Sequence, residues 1–434
     1  MTNMKRANDT LPGVYYDEDV TYESTGVGSK IPIFIGKTGN SVTASDKYKT
    51  DGSQVLRFTN KSKALREIRK TGDDWEDYTG IGTYYDDDGE PITGSTNLLA
   101  KAIYEFYEEA RLLQSTDIGV PYIYVIDLGD ATSWDDWNRA LDTAKSLYDA
   151  QVEVYVGIEG IKKGNDSKAP SVFLSACSDK IFEETKYLDL RYGYATIGYA
   201  DTTDNYKTSV NNDGNDDSLD EVTLVGLSKS LRNIHSNTDS IKKLSRVGIV
   251  EPLLFGKHIA RICCTPFDIE PGYYTYRSVT KNTFHKRNKS QMQLLQKNGI
   301  IFGRDEHING KVYPKMNLCV SVAFGNDNGR PSDSLFHARF LADDLLREVF
   351  EACYSQIKAN ESSTNLAYLQ TRINKIVNDR VSSELMIRYN EKTEAGTRLL
   401  VKESEDDPYT LIVYGQIQPQ KVTIAIEVQG TVKL

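Results

Sequence analysis

Residues 31–39 read IPIFIGKTG, an apolar run that ends in Gly-Lys-Thr. A phosphate-binding loop follows the pattern G-x-x-x-x-G-K-[ST], because a flexible loop must wrap its backbone N–H groups around the phosphates. Gly36, Lys37 and Thr38 match the end of that pattern, but Ile31 stands where the first glycine is required. The residues just before Gly36 are apolar and favour a strand. The stretch therefore predicts a buried strand that ends in a glycine-rich turn, and it argues against a nucleotide site.

The composition is that of a folded, acidic protein with several domains. A length of 434 residues suits about two to four domains, and a hydrophobic content of 39% is ample for packed cores. The formal net charge is −10 and no basic patch stands out, so a direct nucleic-acid partner is not expected. Because no apolar run is long enough to span a bilayer and the first residues lack the apolar segment of a secretory signal, we expect cytoplasmic synthesis without membrane insertion.

The five cysteines form no C-x-x-C pair, and their number is odd. Their flanks are apolar, which favours reduced thiols in the core. They are Cys177, Cys263, Cys264, Cys319 and Cys353.

The middle of the chain alternates between helical and strand periods. Apolar residues recur at helical spacing over 97–114, and an apolar strand follows within 121–130. Ser133 and Asp136 then form a capping box at the start of a helix that leads to a strand at 152–158. Strand, helix and strand at this spacing predict a βαβ unit and a parallel sheet. The alternation continues with a helix at 175–187, a strand at 193–199 and a helix at 224–236.

The last hundred residues contain two amphipathic helices and two strands. Helices are predicted over 334–357 and 364–386 from their apolar stripes. A polar connection at 387–409 leads to a strand at 409–417. Residues 421–434 alternate apolar and polar side chains, the pattern of a strand with one buried face.

Few polar residues fall into a catalytic pattern. Arg304, Asp305, Glu306 and His307 lie beside Asn309-Gly310, a strong hairpin signal, so a turn is the better interpretation. The acidic stretch 204–221 lacks the spacing of a calcium loop and is predicted to be a solvated surface loop.

Two further candidate sites are also weak. Asp127 and Asp130 end a parallel strand, where α/β sites often form, but they are interpreted as turn residues before a capped helix. Cys263 and Cys264 are interpreted as core residues of an apolar strand. We therefore predict no catalytic, cofactor-binding or metal-binding residue, and no enzyme activity.

Several segments occur in a characteristic order along the chain. LPGVYYDEDV at 11–20 is followed by GVGSKIPIFIGKTG at 26–39. Much later come GKHIARICCTP at 256–266, LLQKNGIIFGRDEHINGKVYPKMNL at 294–318 and LIVYGQIQPQKVTIAIEVQGTVKL at 411–434. This order resembles that of contractile tail sheath proteins, a family of contractile-tailed phages, phage-tail-like bacteriocins and related injection systems. Together the likeness covers roughly residues 11–40 and 245–434.

This resemblance implies an α+β multi-domain protein. Its C-terminal α+β sheath core domain would be completed by the N-terminal strand, with an α/β (βαβ-containing) region inserted between them. The expected divisions are an extended arm at 1–24, the first core strand at 25–40, an inserted outer region at 41–244, and a C-terminal core with a terminal strand arm at 245–434.

The resemblance also implies a role and partners. The subunit would polymerise helically around an inner tail tube and shorten to drive that tube through a target envelope, without a cofactor. Its partners would be other copies of itself, the tube protein, and baseplate and tail terminator proteins, in a phage virion tail or an extracellular contractile particle. Each arm would add to a neighbour's sheet by β-augmentation. The arm residues expected between subunits are Val14, Tyr15, Tyr16, Val20, Tyr22, Val422, Ile424, Ile426 and Val428.

The resemblance places the C-terminal domain against the tube. The charged face of the predicted helix 364–386 carries Arg372, Lys375, Asp379 and Arg380, which are the candidate tube-facing residues. A solvated helix face explains any one of them equally well. Two other functions remain open: an α/β enzyme or ligand-binding protein that uses the middle region, and a baseplate or terminator relative that does not polymerise.

Overall fold

The structure is a computed structural model that divides into two compact units, Met1–Phe336 and His337–Leu434. It describes residues 4–5, 15–16, 30–38, 55–68, 97–113, 120, 122–129, 133–147, 149–158, 161, 170–184, 190–197, 224–236, 242–267, 269–281, 283–284, 286–325, 335–354, 363–403 and 411–420. The predicted loop 204–221, Asp130 and the predicted terminal strand 421–434 lie outside these residues.

The first unit is built on a seven-stranded sheet. Its strands are β3 (Pro32–Gly36), β4 (Leu56–Phe58), β5 (Ile123–Asp127), β6 (Val152–Val156), β7 (Tyr192–Ala195), β8 (Val247–Val250) and β9 (Ile300–Ile301). They lie in the order β4-β5-β3-β6-β7-β8-β9. Only β4 is antiparallel to its neighbour. The predicted parallel sheet is confirmed, with β3 inserted between the two strands of the predicted βαβ unit.

The segment IPIFIGKTG supplies the strand β3, in which all five residues are buried. A Cβ atom at Gly36 would lie 2.8 Å from Val156 Cβ, so glycine permits the close approach of β3 to β6. After the strand, Thr38 Oγ1 donates to Asp127 Oδ1 over 2.8 Å. The glycine-lysine-threonine sequence therefore joins the ends of two neighbouring strands.

Seven helices are described in the first unit. They are α1 (Lys61–Ile68), α2 (Leu98–Leu113), α3 (Trp134–Lys145), α4 (Pro170–Glu184), α5 (Leu224–Ile234), α6 (Phe255–Cys264) and α7 (Lys289–Lys297). Ile33 and Ile35 of β3 belong to the core cluster that includes side chains of α3, α4, α5 and α7. Phe34 points the other way and packs edge-on against Phe106 of α2. Since successive strand residues face opposite sides, the unit has helices on both faces of its sheet.

Three sequence predictions for these helices had different outcomes. The predicted cap of α3 is confirmed, because Asp136 N–H donates to Ser133 Oγ. By contrast, the helix α4 begins at Pro170 instead of 175. The segment with Cys263 and Cys264 was predicted to be a strand, and that prediction is wrong: both cysteines lie in α6. This helix is almost entirely buried, although its polar residues Lys257, His258 and Arg261 recur at helical spacing; His258 and Arg261 pair with the buried carboxylates of Glu251 and Glu109.

The residues GRDEHING form the first half of a hairpin, as predicted. The strand β10 (Gly303–Ile308) pairs with β11 (Lys311–Met316) in antiparallel register. Asn309 and Gly310 connect them with φ values of 50° and 75°. Positive φ at both positions is what a two-residue type I′ turn requires.

The described part of the second unit contains two helices and one two-stranded sheet. The helices are α8 (Phe336–Tyr354), whose first residue belongs to the first unit, and α9 (Ser363–Ser382). The strands are β12 (Arg398–Glu403) and β13 (Leu411–Gln416), paired antiparallel. The sequence placed a polar connection over β12, and this prediction is wrong. The exposed residues Arg398 and Lys402 alternate there with Leu399, which is buried, and Val401, which is partly buried.

The predicted domain boundaries also differ from the structure. The strand β3 pairs with β5 and β6, which come from the region predicted to be a separate insertion. The division between compact units falls at Phe336 and His337 instead of 244 and 245. A parallel sheet joins strands that are far apart in sequence, so apolar periodicity could not show which segments share it.

Candidate functional site

The sheet of β12 and β13 is the candidate site for addition of a strand. Among the described residues it has only these two strands, and a two-stranded sheet is marginal unless it packs on something else. One face packs on α8 and α9, through Leu399, Val401 and Val413. The other face is largely exposed and carries Arg398, Lys402, Tyr414 and Gln416. The sheet therefore has one buried face and two edges, one along β12 and one along β13.

Gln370 of α9 covers one of these edges. Its Nε2 donates to Leu399 O over 3.0 Å, and its Oε1 accepts from Val401 N–H over 2.8 Å. The same Nε2 also donates to Asn374 Oδ1 over 2.9 Å, which fixes the carboxamide on the helix. The edge of β12 is thus capped by a side chain from its own unit.

The chain that follows β13 is held elsewhere in the unit. Ile387 N–H donates to Gln418 O, and Gln420 N–H donates to Leu385 O, both over 2.9 Å. Gly396 N–H donates to the Gln418 side chain over 2.7 Å. These bonds carry the chain from the end of β13 onto the segment after α9.

The charged face of α9 is only partly as predicted. Arg372, Lys375 and Asp379 are exposed. Arg380, in contrast, turns to α8 and forms ion pairs with Asp344 over 2.7 Å and Glu348 over 3.0 Å. The sequence placed Arg380 on the exposed face, and this placement is wrong because those carboxylates lie within its reach.

The predicted arms lie mostly outside the described residues. Tyr15 and Tyr16 form β2 (Tyr15–Tyr16), which pairs antiparallel with β1 (Met4–Lys5). The sequence predicted an extended arm at 1–24, so this pairing of two segments within it is a correction. Nothing is described for Val14, Val20, Tyr22, Val422, Ile424, Ile426 or Val428.

Side chains of α2 lie near the point where an α/β enzyme would bind its ligand. Beginning at β3, the parallel strands follow the order 2-1-3-4-5-6, and ligands in such sheets bind at the carboxyl ends of the first and third strands, here β3 and β6. A Cβ at Gly157, just after β6, would lie 3.4 Å from Leu98 Cδ1. One at Gly36 would lie 3.4 Å from Leu99 Cδ1. The first residues of α2 thus lie close to the carboxyl ends of β3 and β6.

A buried cluster of serine and histidine joins two helices of the first unit. His235 Nε2 lies 2.9 Å from Ser175 Oγ and 3.4 Å from Ser178 Oγ. Burial lowers the pKa of His235, which favours the neutral ring. All three residues are buried, so a substrate could not reach the hydroxyls, and the cluster ties α4 to the end of α5.

Buried carboxylates form hydrogen bonds that connect distant segments of the first unit. Glu109 accepts from the backbone N–H and hydroxyl of Ser278 over 2.8 Å and 2.7 Å. Glu270 accepts from Cys319 N–H over 2.8 Å, and burial raises the pKa of its carboxyl to about 7. Both carboxylates accept hydrogen bonds from backbone groups that are far away in the sequence, so their role is structural.

The described residues contain no arrangement that could hold a metal ion through three or more His, Cys, Asp or Glu side chains. The five cysteines are free thiols, and all except Cys353 are buried. The predicted core positions hold for those four, whereas Cys353 is half-buried. Within the described part of the chain, no helix has both the length and the hydropathy for crossing a bilayer.

Asp127, a candidate from the sequence, has a structural role. Its Oδ1 accepts from Thr38 Oγ1 and from Gly129 N–H over 2.7 Å, so it closes the turn after β5 as predicted. Gln370 was not found from the sequence, because a glutamine on a helix carries no signal of the strand it will cap. The alternation in RLLVK at 398–402 could have revealed β12.

No protein-family model matches this sequence, and no curated protein matches it. Solved structures do share its fold. The chain matches one in the contracted sheath complex of PVC, an extracellular contractile injection system, with a TM-score of 0.55 and 11% identity over 98% of both chains. It matches one in the contracted helical sheath of the anti-feeding prophage (AFP), with a TM-score of 0.52 and 13% identity over 97% of this chain and 99% of that one.

A chain of the AFP baseplate structure gives the same TM-score of 0.52 and 13% identity, over 98% of this chain and 99% of that one. The fold is therefore that of sheath proteins from contractile injection systems. The resemblance seen in the sequence is confirmed at the level of fold.

Proposed function

We propose that this chain is the structural subunit of a contractile sheath. It polymerises helically around an inner tube, and shortening of the sheath drives the tube through a target envelope. The observation that carries the proposal is the shared fold along 98% of both chains with a PVC sheath subunit. Because the match spans nearly the whole length of both chains, it includes both compact units of this protein.

The terminal segments supply the links between copies. The two-stranded sheet of the second unit has an edge with no strand beside it among the described residues. A segment such as 421–434, with apolar residues at every second position, suits that edge. Since the donor and acceptor surfaces differ, each copy binds the next, and repetition without closure gives a helix.

The partners follow from this role. They are other copies of the chain, an inner tube protein, and baseplate and terminator proteins, in a virion tail or an extracellular contractile particle made in a host cytoplasm. We expect no catalytic role, and the packing of Leu98 and Leu99 near the ends of β6 and β3 supports this expectation. We expect the stored energy for contraction to lie in subunit packing.

Sedimentation and negative-stain electron microscopy of the purified protein test this function. We expect a pelleting fraction that grows with protein concentration and consists of long striated tubes. Particles of one subunit's size at every concentration would contradict polymerisation and would favour an enzyme or a non-polymerising baseplate relative.

A further inference from the structure

We propose that a basic surface of the first unit binds the acidic stretch 73–90 of a second copy of this chain. Six exposed side chains define the basic surface: Arg277, Lys281, Lys286, Lys289, Lys297 and Lys311. The proposal rests on the sheath function and deepens it, because it assigns one contact between copies to named charges. The surface was not evident from the sequence, since its basic residues are spread over three segments.

Positive charge is concentrated in residues 271–325. This range holds nine of the 52 Lys and Arg residues of the chain but only two of its 62 Asp and Glu residues. Both of these carboxylates lie in β10, and Glu306 already pairs with Arg304 over 3.0 Å and with Lys315 over 2.9 Å. None of the six side chains of the basic surface forms an ion pair with a described residue. The surface is therefore positive in a chain whose net charge is −10.

The fold brings together the three segments that carry these charges. Tyr276 N–H donates to Pro314 O of β11 over 2.8 Å, so the residues before α7 run beside the hairpin. Arg287 Nη1 donates over 2.8 Å to the carbonyl oxygen of the first residue of β10. At the other end of α7, Asn317 Nδ2 donates to Gln296 Oε1 over 3.1 Å. The basic side chains therefore lie on neighbouring segments of one unit.

Two exposed tyrosines add an apolar component beside these charges. Tyr273 and Tyr274 are 69% and 39% exposed, and their rings pack edge-on with centroids 5.2 Å apart. The next residue, Thr275, forms a β-bridge with Lys315 of the hairpin. Tyrosine and arginine are enriched at protein interfaces. The surface thus has a composition that suits contact with another protein.

A second copy is the partner that the charge of the chain favours. Copies with a net charge of −10 repel one another, so association requires that carboxylates of one copy meet cations of the next. Residues 71–100 hold eight Asp and Glu residues, all within 73–90, and no Lys or Arg. The same stretch contains four aromatic residues, which suit contact with Tyr273 and Tyr274. Since the acidic and basic surfaces differ, the contact is head to tail and repeats without closure.

Carbodiimide cross-linking tests the contact, because this reagent joins a lysine amine to a carboxylate that touches it. The sample is the full chain, mixed from unlabelled and isotope-labelled copies. We expect cross-linked peptides that join 73–90 to Lys281, Lys286 or Lys289 and that combine one labelled with one unlabelled copy. Their yield should fall strongly in salt of about 1 M, where the Debye length is only about 3 Å.

Two pairs of charge reversals identify the partners, with sedimentation velocity as the measure of association. Lys281→Glu with Lys286→Glu should weaken association about tenfold, since two attractions become repulsions. Asp86→Lys with Asp88→Lys should weaken it to a similar extent. An equal mixture of the two variants should recover wild-type association, because the acidic stretch of each then meets an oppositely charged surface on the other.

The matched control is Lys63→Glu with Lys392→Glu, which changes the net charge equally at exposed lysines elsewhere. Its association should stay within about twofold of the wild type, and circular dichroism checks that all variants are folded. A control as weak as the lysine variant would overturn the proposal, and so would a mixture that associates no better than its components.

The cross-links decide between a second copy and other occupants. Cross-links confined to single copies would show that 73–90 binds the basic surface of its own chain, which overturns the proposal. Tight binding of a short DNA duplex by the wild type, without cross-links between copies, would assign the surface to a nucleic acid and overturn it as well.

Electron microscopy of the same preparations separates this proposal from the proposed function. Cross-links between copies without tubes would support the charge contact and contradict the sheath role. Tubes without such cross-links would support the sheath role and overturn the charge contact.

Discussion

Gly256 lies where α6 touches α2 backbone to backbone. Its N–H donates to Glu105 Oε2 over 2.5 Å. A Cβ at this position would lie 2.0 Å from Ala102 O and 2.6 Å from Glu105 Cβ. Because helix backbone cannot yield easily, we expect Gly256→Ala to lower the free energy of unfolding by more than about 3 kcal/mol.

The matched control is Gly310→Ala in the exposed hairpin turn. A Cβ there meets nothing within 4 Å, but φ is +75°, so we expect a loss of only about 1 kcal/mol. Urea unfolding followed by tryptophan fluorescence measures both, since Trp134 and Trp137 lie in the same unit. Equal losses in the two variants would contradict the close packing of α2 and α6.

Glu270 gives the first unit a defined pH dependence. Burial raises the pKa of this carboxyl from 4.5 to about 7 in the folded state. The folded protein therefore binds the proton more tightly than the unfolded chain, and this contribution to stability is lost as the pH rises from about 4.5 to about 7. We expect Glu270→Gln to abolish that loss.

The measurement compares urea unfolding of wild type and Glu270→Gln at pH 5 and pH 8. The free energy of unfolding of the variant minus that of the wild type should be larger at pH 8 than at pH 5, by on the order of 2 kcal/mol. If the difference in free energy of unfolding between variant and wild type did not change with pH, Glu270 would be ionised at both pH values. The backbone hydrogen bonds from Cys319 and Gly272 would then outweigh its burial.

Sequence reasoning at the residue scale worked where the signal was local. The turn at Asn309 and Gly310 and the burial of the cysteines follow from neighbouring residues alone. Gly256 and Glu270 could not be recognised, because their partners Glu105 and Cys319 lie 151 and 49 positions away. Long-range contacts leave no mark on the local pattern.

At the scale of elements, Arg380 links α8 to α9. Its side chain is 23% exposed and pairs with both Asp344 and Glu348. Since the pairs are partly solvated, we expect Arg380→Ala to destabilise the second unit by about 1 kcal/mol. The exposed Arg372 and Lys375 should change its stability by less than about 0.5 kcal/mol when replaced by alanine. Tryptophan fluorescence does not report on the second unit, because all three tryptophans precede residue 337. Hydrogen exchange of peptides from α9 therefore measures these changes in stability.

The same helix tests the tube-facing proposal. Arg372→Glu with Lys375→Glu should leave the second unit folded and weaken assembly of extended sheath around its tube, because exposed charge contacts are weak singly and add over many subunits. The matched control is Lys392→Glu, which reverses an exposed charge away from the helix. Normal tube-bound sheath with the double variant at physiological salt would show that this face of α9 does not contact the tube.

Elements with clear periodicity were predicted well. The helices α2, α3, α8 and α9 and the strands β3, β5, β6 and β13 all appear near their predicted bounds. The error at α6 was avoidable, because Lys257, His258 and Arg261 recur at helical spacing, although the apolar residues around Cys263 and Cys264 suit a strand equally well. The strand β12 was missed because the charged residues on its exposed face and the acidic residues after it resemble a loop.

For the whole molecule, fold class was predictable and strand partners were not. The sheet is assembled from segments between Pro32 and Ile301, and β3 lies between strands that follow it by about a hundred residues. A sequence shows that such strands exist, but their order depends on how helices pack over both faces of the sheet. For this reason the sequence did not predict that β3 shares a sheet with strands of the middle region.

Deletion of residues 1–24 tests the arm at this scale. We expect the shortened chain to remain folded, because its first core strand begins at Pro32 and the sheet around it is complete. Without the arm, links between copies are lost and tubes should not form. Circular dichroism checks the fold and electron microscopy checks the tubes; tubes of normal length from the shortened chain would exclude a role for the arm.

The most direct test of the sheath role is a cryo-EM reconstruction of what the purified chain assembles into. We expect an open helical tube with a central bore, in which a terminal segment of each copy pairs with the sheet of β12 and β13 in a neighbouring copy. Single particles without helical order, or terminal segments that fold back onto their own subunit, would contradict a sheath held together by exchanged strands.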